Sequence, residues 1–382
     1  MTEPVRVLHI IKTLDLGGAE TNLLNLARAF DRTRVETHVA YSRGGEIEPR
    51  FRAAGVKLVK YAERAHRIKD PQTLAIVWRL VRYIRKNRID IVQTHNFNAH
   101  VWGLLAARLG GARLVEHVHD FRYTPTDDLV RRHSFINQYG FIKYFKKWSD
   151  RIIVLTDAHR DHVIANGYAH PAQVIKIQNG IAIDDAPPEA ADRARFDIPA
   201  DAVVILTSAR MDPSKNITLI VRIAAKVRER SPDALFLIAG SGTHLDAYRQ
   251  LAADLGVTHC VRFLGFHDRM DDLLSVSDIF VLPSFLELHS IAILEATRMR
   301  VPIVVSEHVG CNDEFVEDGV SGFLCDPFSD DRWVEVIAAL ATDAALRKRI
   351  GLGGYETCRR LFDLPDTARR FEGLYAELVE RP

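Results

Sequence analysis

The sequence predicts an α/β protein of two Rossmann-like, doubly wound domains. Short apolar runs alternate with amphipathic helical runs, the pattern of parallel sheets covered by helices. The alternation breaks once, at the polar, acidic and proline-bearing stretch 181–201 (IAIDDAPPEAADRARFDIPAD), and then begins again. A chain of 382 residues is also longer than one ordinary core organises. One domain is therefore expected over 1–185 and a second over 186–364, with a C-terminal helix at about 365–382 packing back on the first. Two such domains would face each other across a cleft, and clefts of this kind favour ligands.

In the first half the strands are read at 5–11, 36–42, 56–62, 90–95, 113–120, 151–156 and 174–180. Helical runs such as LAIVWRLVRYIRKNR (74–88) and NAHVWGLLAARLG (98–110) lie between them. The first strand, VRVLHII, leads through KTLDLGGAE into a helix, so Gly17 and Gly18 let a ligand approach backbone N–H groups at a helix start. A plain tight turn explains the same two glycines, because the full dinucleotide fingerprint is missing. Ligands of such sheets sit beyond the carboxyl ends of the strands. His95, His119, Asp120 and Asn179 fall there and form the expected acceptor side. Each histidine alone reads as structural as readily as functional; two at neighbouring strand ends point to a site.

The second half repeats the alternation at 202–210, 234–242, 260–266, 278–284, 302–308 and 322–327. SARMDPSKN (208–216) places Arg210 and Lys215 at a strand–loop–helix junction. Two fixed cations there can bind a diphosphate and stabilise charge that grows as its bond breaks. AGSGTH brings Gly240 and Gly242 to another strand end, and FLGF ends a third at Phe266, where backbone groups can hold a flat base. PSFLELHSIAILE (283–295) carries Glu287 on a loop and Glu295 on the following helix, whose first N–H groups lie near Ser290 and Ile291. Carboxylates beside an anion site suit a ligand bearing both hydroxyls and phosphates.

Composition narrows the classes. Hydrophobic residues at 47% and charged residues at 26% describe a globular chain, and no apolar run has the length of a membrane span. The N-terminus, MTEPVRVLHIIKT, has no basic cluster, so a secretory signal is not expected. The four cysteines, Cys260, Cys311, Cys325 and Cys358, have no metal-ligand spacing, and a reducing cytoplasm is the expected compartment. The net charge of +1 hides an asymmetry: 29 Lys and Arg face 19 Asp and Glu through residue 185, and the remainder is acidic. A basic first half favours an anionic acceptor or an anionic membrane at the inner face; no nucleic-acid module accompanies the charge. Residues 122–148 interleave Arg131, Arg132, Lys143, Lys146 and Lys147 with aromatics. They read either as an amphipathic helix packing on the sheet or as a surface that recruits anionic lipid.

Taken together, GGAE (17–20), His119–Asp120, NGI (179–181), Arg210 with Lys215, AGSG (239–242), FLGF (263–266), the spaced glutamates of 283–295 and EDGVSGF (317–323) resemble family 4 glycosyltransferases, also described as glycosyl transferases group 1. The resemblance runs nearly end to end. It implies a GT-B fold and transfer of a sugar from a nucleotide-sugar donor with retention, in cell-envelope polysaccharide or glycolipid synthesis. It further implies that Arg210 and Lys215 hold the donor diphosphate, Glu287 the hydroxyls of the sugar and Glu295 the ribose. His119 would lie near the reacting carbon and acceptor. No metal and no cofactor is expected. The chain departs from the family at Leu288–His289–Ser290, where a glycine-rich turn is usual, and at Gly310–Cys311, usually a glycine pair. His289 would add a titratable donor near phosphate or sugar. A nucleotide-sugar epimerase and a non-catalytic nucleotide-sugar-binding protein are the alternatives.

Overall fold

Two all-parallel sheets organise the chain. The structure, a computed structural model, describes residues 3–15, 17–62, 73–95, 97–119, 148–184 and 191–380. It divides into one unit of Met1–Ala182 with Leu364–Pro382 and another of Ile183–Asp363. The stretch 122–147 and Asp120, singled out above, lie outside the described residues.

In the first unit the elements are β1 (Val5–Ile10), α1 (Gly18–Ala29), β2 (Val35–Tyr41), α2 (Glu48–Ala53), β3 (Lys57–Lys60), α3 (Thr73–Lys86), β4 (Ile91–His95), α4 (Phe97–Gly110), β5 (Arg113–His117), β6 (Arg151–Val154), α5 (Asp157–Ala165) and β7 (Val174–Lys176). The strand order is β3-β2-β1-β4-β5-β6-β7. The direction of winding therefore reverses between β1 and β4, and a crevice opens beyond their carboxyl ends.

The second unit holds β8 (Val203–Ser208), α6 (Ile217–Arg230), β9 (Ala234–Ala239), α7 (Leu245–Asp254), β10 (Val261–Gly265), α8 (Met270–Ser275), β11 (Ile279–Leu282), α9 (Ile291–Arg298), β12 (Ile303–Ser306), α10 (Asn312–Phe315), β13 (Phe323–Cys325), α11 (Asp331–Thr342) and α12 (Ala344–Phe362). Its order, β10-β9-β8-β11-β12-β13, puts the reversal between β8 and β11. The strands are near-continuous apolar runs because helices cover both faces; Phe236, Ile238, Val281 and Trp333 sit in its core.

The last helix, α13 (Leu364–Glu380), belongs to the first unit. Leu364, Ala368, Phe371, Tyr375 and Leu378 recur at helical spacing and pack on Val7, Phe30, Ile91, Val115 and Ile153. Each large apolar side chain so buried stabilises by roughly 1.5–3 kcal/mol. Glu372 accepts from the Asp31 N–H at 2.8 Å and from Arg34 at 3.1 Å, which fixes the helix's register. Gly180 follows from this packing. A Cβ there would lie 2.7 Å from Thr367 Oγ1 and 3.0 Å from Leu364 Cα, so the NGI glycine lets α13 dock. No helix among the described residues is long and apolar enough to cross a membrane.

Candidate active site

In the second unit the reversal between β8 and β11 gathers the charged residues. Beyond β8 the chain runs against the loop after β9: the Ala209 N–H donates to Ala239 O at 3.1 Å and the Met211 N–H to Ser241 O at 3.0 Å. The approach is so close that a Cβ on Gly240 would lie 1.9 Å from Ala209 O, and one on Gly242 2.6 Å from Met211 O. These glycines are required by loop packing, whatever else they meet. The packing turns Arg210 outward; its side chain is 79% exposed and pairs loosely with Asp212 at 3.4 Å. Asp212 caps the single turn Pro213–Lys215 by accepting from the Ser214 N–H at 3.0 Å. Asn216 then takes a left-handed conformation (φ +51°), and its amide donates to Pro327 O at 3.0 Å as α6 begins.

The loop after β11 closes on that turn. The Phe285 N–H donates to Ser214 O at 2.8 Å. Lys215 Nζ donates to Glu287 Oε1 at 2.5 Å, and Ser284 Oγ donates to the same oxygen at 3.0 Å. The Lys215 and Glu287 side chains are 12% and 13% exposed. Two residues assigned from sequence to different parts of a ligand are thus bonded to each other, across the ends of the strands flanking the reversal. Ser284 had not been singled out.

Leu288, His289 and Ser290 need no glycine. None of the three has a positive φ; Gly310 does, at +62°, and a Cβ on it would lie 2.5 Å from Glu287 O. The Cys311 N–H donates to Leu288 O at 2.9 Å, so Gly310–Cys311 is the clamp on this loop. The Leu288 side chain is buried. The His289 imidazole is 7% exposed and packs edge-on to Phe362, ring centroids 4.7 Å apart. Ser290 is the N-cap of α9 and makes no side-chain cap bond, and Ile291 opens the helix. Burial pushes the Glu295 carboxyl up to about 7, helped by Asp271 and opposed by Arg298. Phe266, just past β10, is 44% exposed.

In the first unit the reversal between β1 and β4 gathers histidines. His9 on β1 is the register partner of Gln93 on β4, and His95 of His117 on β5. His9 Nδ1 lies 3.1 Å from His95 Nε2, and His95 Nδ1 lies 2.9 Å from His119 Nε2. The His117 and His119 rings are in contact, centroids 3.9 Å apart. Tyr375 of α13 donates to Gln93 Oε1 at 2.7 Å, and the other end of the Gln93 amide meets His117 Nδ1 at 3.3 Å. Burial pushes His9 down to about 3 and holds His95 and His117 well below the ordinary imidazole range. One ring nitrogen from each of His95, His117 and His119 lies within 4.8 Å of the others, close enough to share a divalent ion. The 2.9 Å bond between His95 and His119, however, already uses a nitrogen of each. Sequence reasoning found His95 and His119 and missed His9, Gln93, His117 and Tyr375. The available signal was a histidine, His9, set in the apolar run Val7–Ile10 of the first strand.

Gly17 is the N-cap of α1, extended and without a side-chain cap bond, and Gly18 is the helix's first residue. A Cβ on Gly17 would lie 2.5 Å from Glu20 Oε2. Burial pushes that carboxyl up to about 7. Asn179 is buried just past β7.

Two family descriptions cover most of the chain: Glycosyltransferase Family 4 over residues 16–185 and Glycosyl transferases group 1 over residues 188–357. With two doubly wound units of the GT-B type, the chain belongs to this glycosyltransferase family. It is an enzyme of the nucleotide-sugar-dependent glycosyltransferase class. Among its relatives is UDP-Gal:alpha-D-GlcNAc-diphosphoundecaprenol alpha-1,3-galactosyltransferase of Escherichia coli, 28% identical over 82% of this chain and 81% of that one. D-inositol 3-phosphate glycosyltransferase of Salinispora tropica is 25% identical over 97% of this chain and 83% of its own. In fold it is similar to Anabaena HepE, solved with UDP and glucose, with a TM-score of 0.85, 20% identity, and coverage of 97% and 99%.

Proposed function

We propose that the protein transfers a sugar with retention from a nucleoside-diphosphate donor, held by the second unit, to a lipid-linked anionic acceptor met by the first, in cell-envelope polysaccharide or glycolipid synthesis. The observation that carries this is the Lys215–Glu287 pair at the sheet reversal, with Arg210 on the same loop after β8 and the open N-terminus of α9 following. Departure of a nucleoside diphosphate builds negative charge on phosphate oxygens. Arg210, Lys215 and the first N–H groups of α9 stabilise that charge. Lys215 leaves its bond to Glu287 for the diphosphate, and the freed Glu287 carboxylate accepts from sugar hydroxyls. Glu295 meets the ribose and His119 the sugar near the reacting carbon. The leaving phosphate takes the acceptor's proton on the same face, so no separate base is needed. Two fixed cations make a metal ion dispensable.

A lipid-diphosphate acceptor agrees with the relative from Escherichia coli and with the basic first half. Peripheral docking on an anionic membrane at the cytoplasmic face is part of the same reading. Helix α3 supports it: Leu74 and Trp78, one turn apart, are 80% and 61% exposed beside Arg79, Arg82, Arg85 and Lys86, with no acidic residue on the helix.

The test is a product assay by mass spectrometry, with a panel of nucleotide-sugars and polyprenyl-diphosphate sugar acceptors. An acceptor one sugar heavier, formed by the wild type and lost in Lys215→Ala, supports the reading. Conversion of a donor to its epimer without acceptor, or no turnover across the panel, overturns it.

A further inference from the structure

Phe328, on the loop after β13, is 75% exposed, yet its ring stacks on that of Phe285, centroids 5.1 Å apart and planes inclined at 26°. Single apolar side chains on a surface are ordinary. This one is held in place. The Phe328 N–H donates to Asp326 Oδ1 at 2.9 Å, and Nε1 of the buried Trp333 donates to Asp326 O at 2.8 Å. Asn216 Nδ2 donates to Pro327 O at 3.0 Å. The loop is pinned on the near side of the ring, so the stack presents a flat apolar face that is already ordered, and a ligand loses less entropy in meeting it.

The stack belongs to the turn that carries Lys215. The residue before Lys215 accepts from the Phe285 N–H, at Ser214 O and 2.8 Å. The residue after it is Asn216, bonded to Pro327 beside Phe328. The two aromatic loops therefore grip the turn on either side of the cation that meets the leaving diphosphate. A same-face displacement brings the acceptor in on the side of the departing phosphate, beside that cation. The transferred sugar is assigned to Glu287, which leaves the aromatic pair for the ring that receives it.

We propose that Phe285 and Phe328 form a platform on which the acceptor's sugar ring lies. A pyranose has a face of C–H groups and a rim of hydroxyls. The C–H face packs on an aromatic ring, whose own face is electron-rich, and the rim needs polar partners. Two residues past Phe328 stands Asp330, which accepts from Arg222 at 2.9 Å and from Lys226 at 3.0 Å. A small flat apolar face followed by charged groups matches a sugar ring. A prenyl chain calls for a longer apolar surface than two rings. The assignment to the acceptor rests on the function proposed above; the platform's affinity for a sugar ring does not.

The experiment measures acceptor KM in the product assay, with the acceptor that the wild type elongates supplied in polyprenyl and short-alkyl forms. Phe328→Ala is expected to raise acceptor KM about tenfold in both forms, with donor KM within about twofold and the melting temperature unchanged. Phe328→Trp keeps a flat face and should retain the wild-type acceptor KM. Phe328→Leu is apolar but not flat and should lose it as the Ala variant does. An unchanged acceptor KM in Phe328→Ala, a Leu variant as good as the wild type, or an equal rise in donor KM overturns the proposal. A loss confined to the polyprenyl form also overturns it and assigns the pair to lipid. A second measurement needs no turnover. In 1H–13C spectra of the full chain labelled in its phenylalanine rings, the Phe328 signals are assigned with Phe328→Leu. They are expected to shift as methyl glycosides of glucose, galactose and N-acetylglucosamine are added. No shift with any of the three overturns the platform. A shift in a wild type that transfers no sugar leaves the platform standing and overturns the functional reading.

Discussion

Lys215 Nζ donates to Glu287 Oε1 at 2.5 Å, joining the loop after β8 to the loop after β11. The two strands flank the sheet reversal, where ligands of such folds bind. Under the proposed function a diphosphate takes Lys215 and a sugar hydroxyl takes Glu287. The pair holds both side chains in place until then.

Removing Lys215 should abolish two things at once. Lys215→Ala is expected to lower kcat/KM by about 10²–10³-fold, as loss of one stabiliser of developing charge does. It also leaves a mostly buried Glu287 unpaired, which lowers stability by about 1–3 kcal/mol. The double variant Lys215→Met/Glu287→Gln should regain most of the melting temperature and none of the transfer. Recovery of transfer would show that the pair is structural.

Glu295 should make stability depend on pH. Burial raises its folded pKa to about 7, above the ordinary 4.5, so the folded state binds the proton more tightly than the unfolded chain. Such a group costs nothing below about 4.5, and its destabilisation grows as pH rises to about 7. Glu20 is raised to about 7 by burial and acts in the same sense. Glu295→Gln is expected to stabilise the protein more at pH 8 than at pH 5, by up to about 2–3 kcal/mol, read from melting curves across that range. Its affinity for the nucleotide should fall in parallel, measured by calorimetry.

Gly240→Ala should disturb the donor side without touching a charged residue. Its Cβ would lie 1.9 Å from a backbone oxygen, which cannot yield as a flexible side chain does. A stability loss of about 2–4 kcal/mol is expected, with weaker nucleotide binding because Arg210 follows the displaced strand end. A fully stable variant with normal binding would refute this account of the glycine turn.

Chelation should leave transfer intact. In the proposed mechanism Arg210 and Lys215 supply the charge a divalent ion would bring, so incubation with excess EDTA is expected to change kcat by less than about twofold. Loss of activity restored by added metal would contradict the assignment.

Vesicle binding should follow α3. Trp78→Ser with Leu74→Ser is expected to reduce co-sedimentation with anionic vesicles several-fold while transfer to a short, water-soluble acceptor is kept. Unchanged sedimentation would exclude this helix as the contact.

The alternation and the single break were legible because a parallel strand covered on both faces must be apolar along its length, as VVILTS and IFVL are. Charged residues at strand ends were legible because ligands of such sheets sit beyond the carboxyl ends of the strands, whereas Gly240 and Gly242 answer to loop packing. Strand order was not, because sequence alone does not say that β1 pairs with β4 or β8 with β11. How Leu288–His289–Ser290 is held was not legible, because its clamp, Gly310–Cys311, lies 20 or more positions away and meets the loop only in the folded unit.

By itself, then, the sequence determined the class of fold, the family and the residue types at the strand ends. These follow from period, punctuation and local chemistry. Only the tertiary structure decided who bonds to whom. It paired Lys215 with Glu287, turned the imidazole of His289 against Phe362, and linked His9 through His95 to His119. Those partners come from strands that are adjacent in space and distant in the chain, and a sheet's pairing is settled by packing of the whole unit.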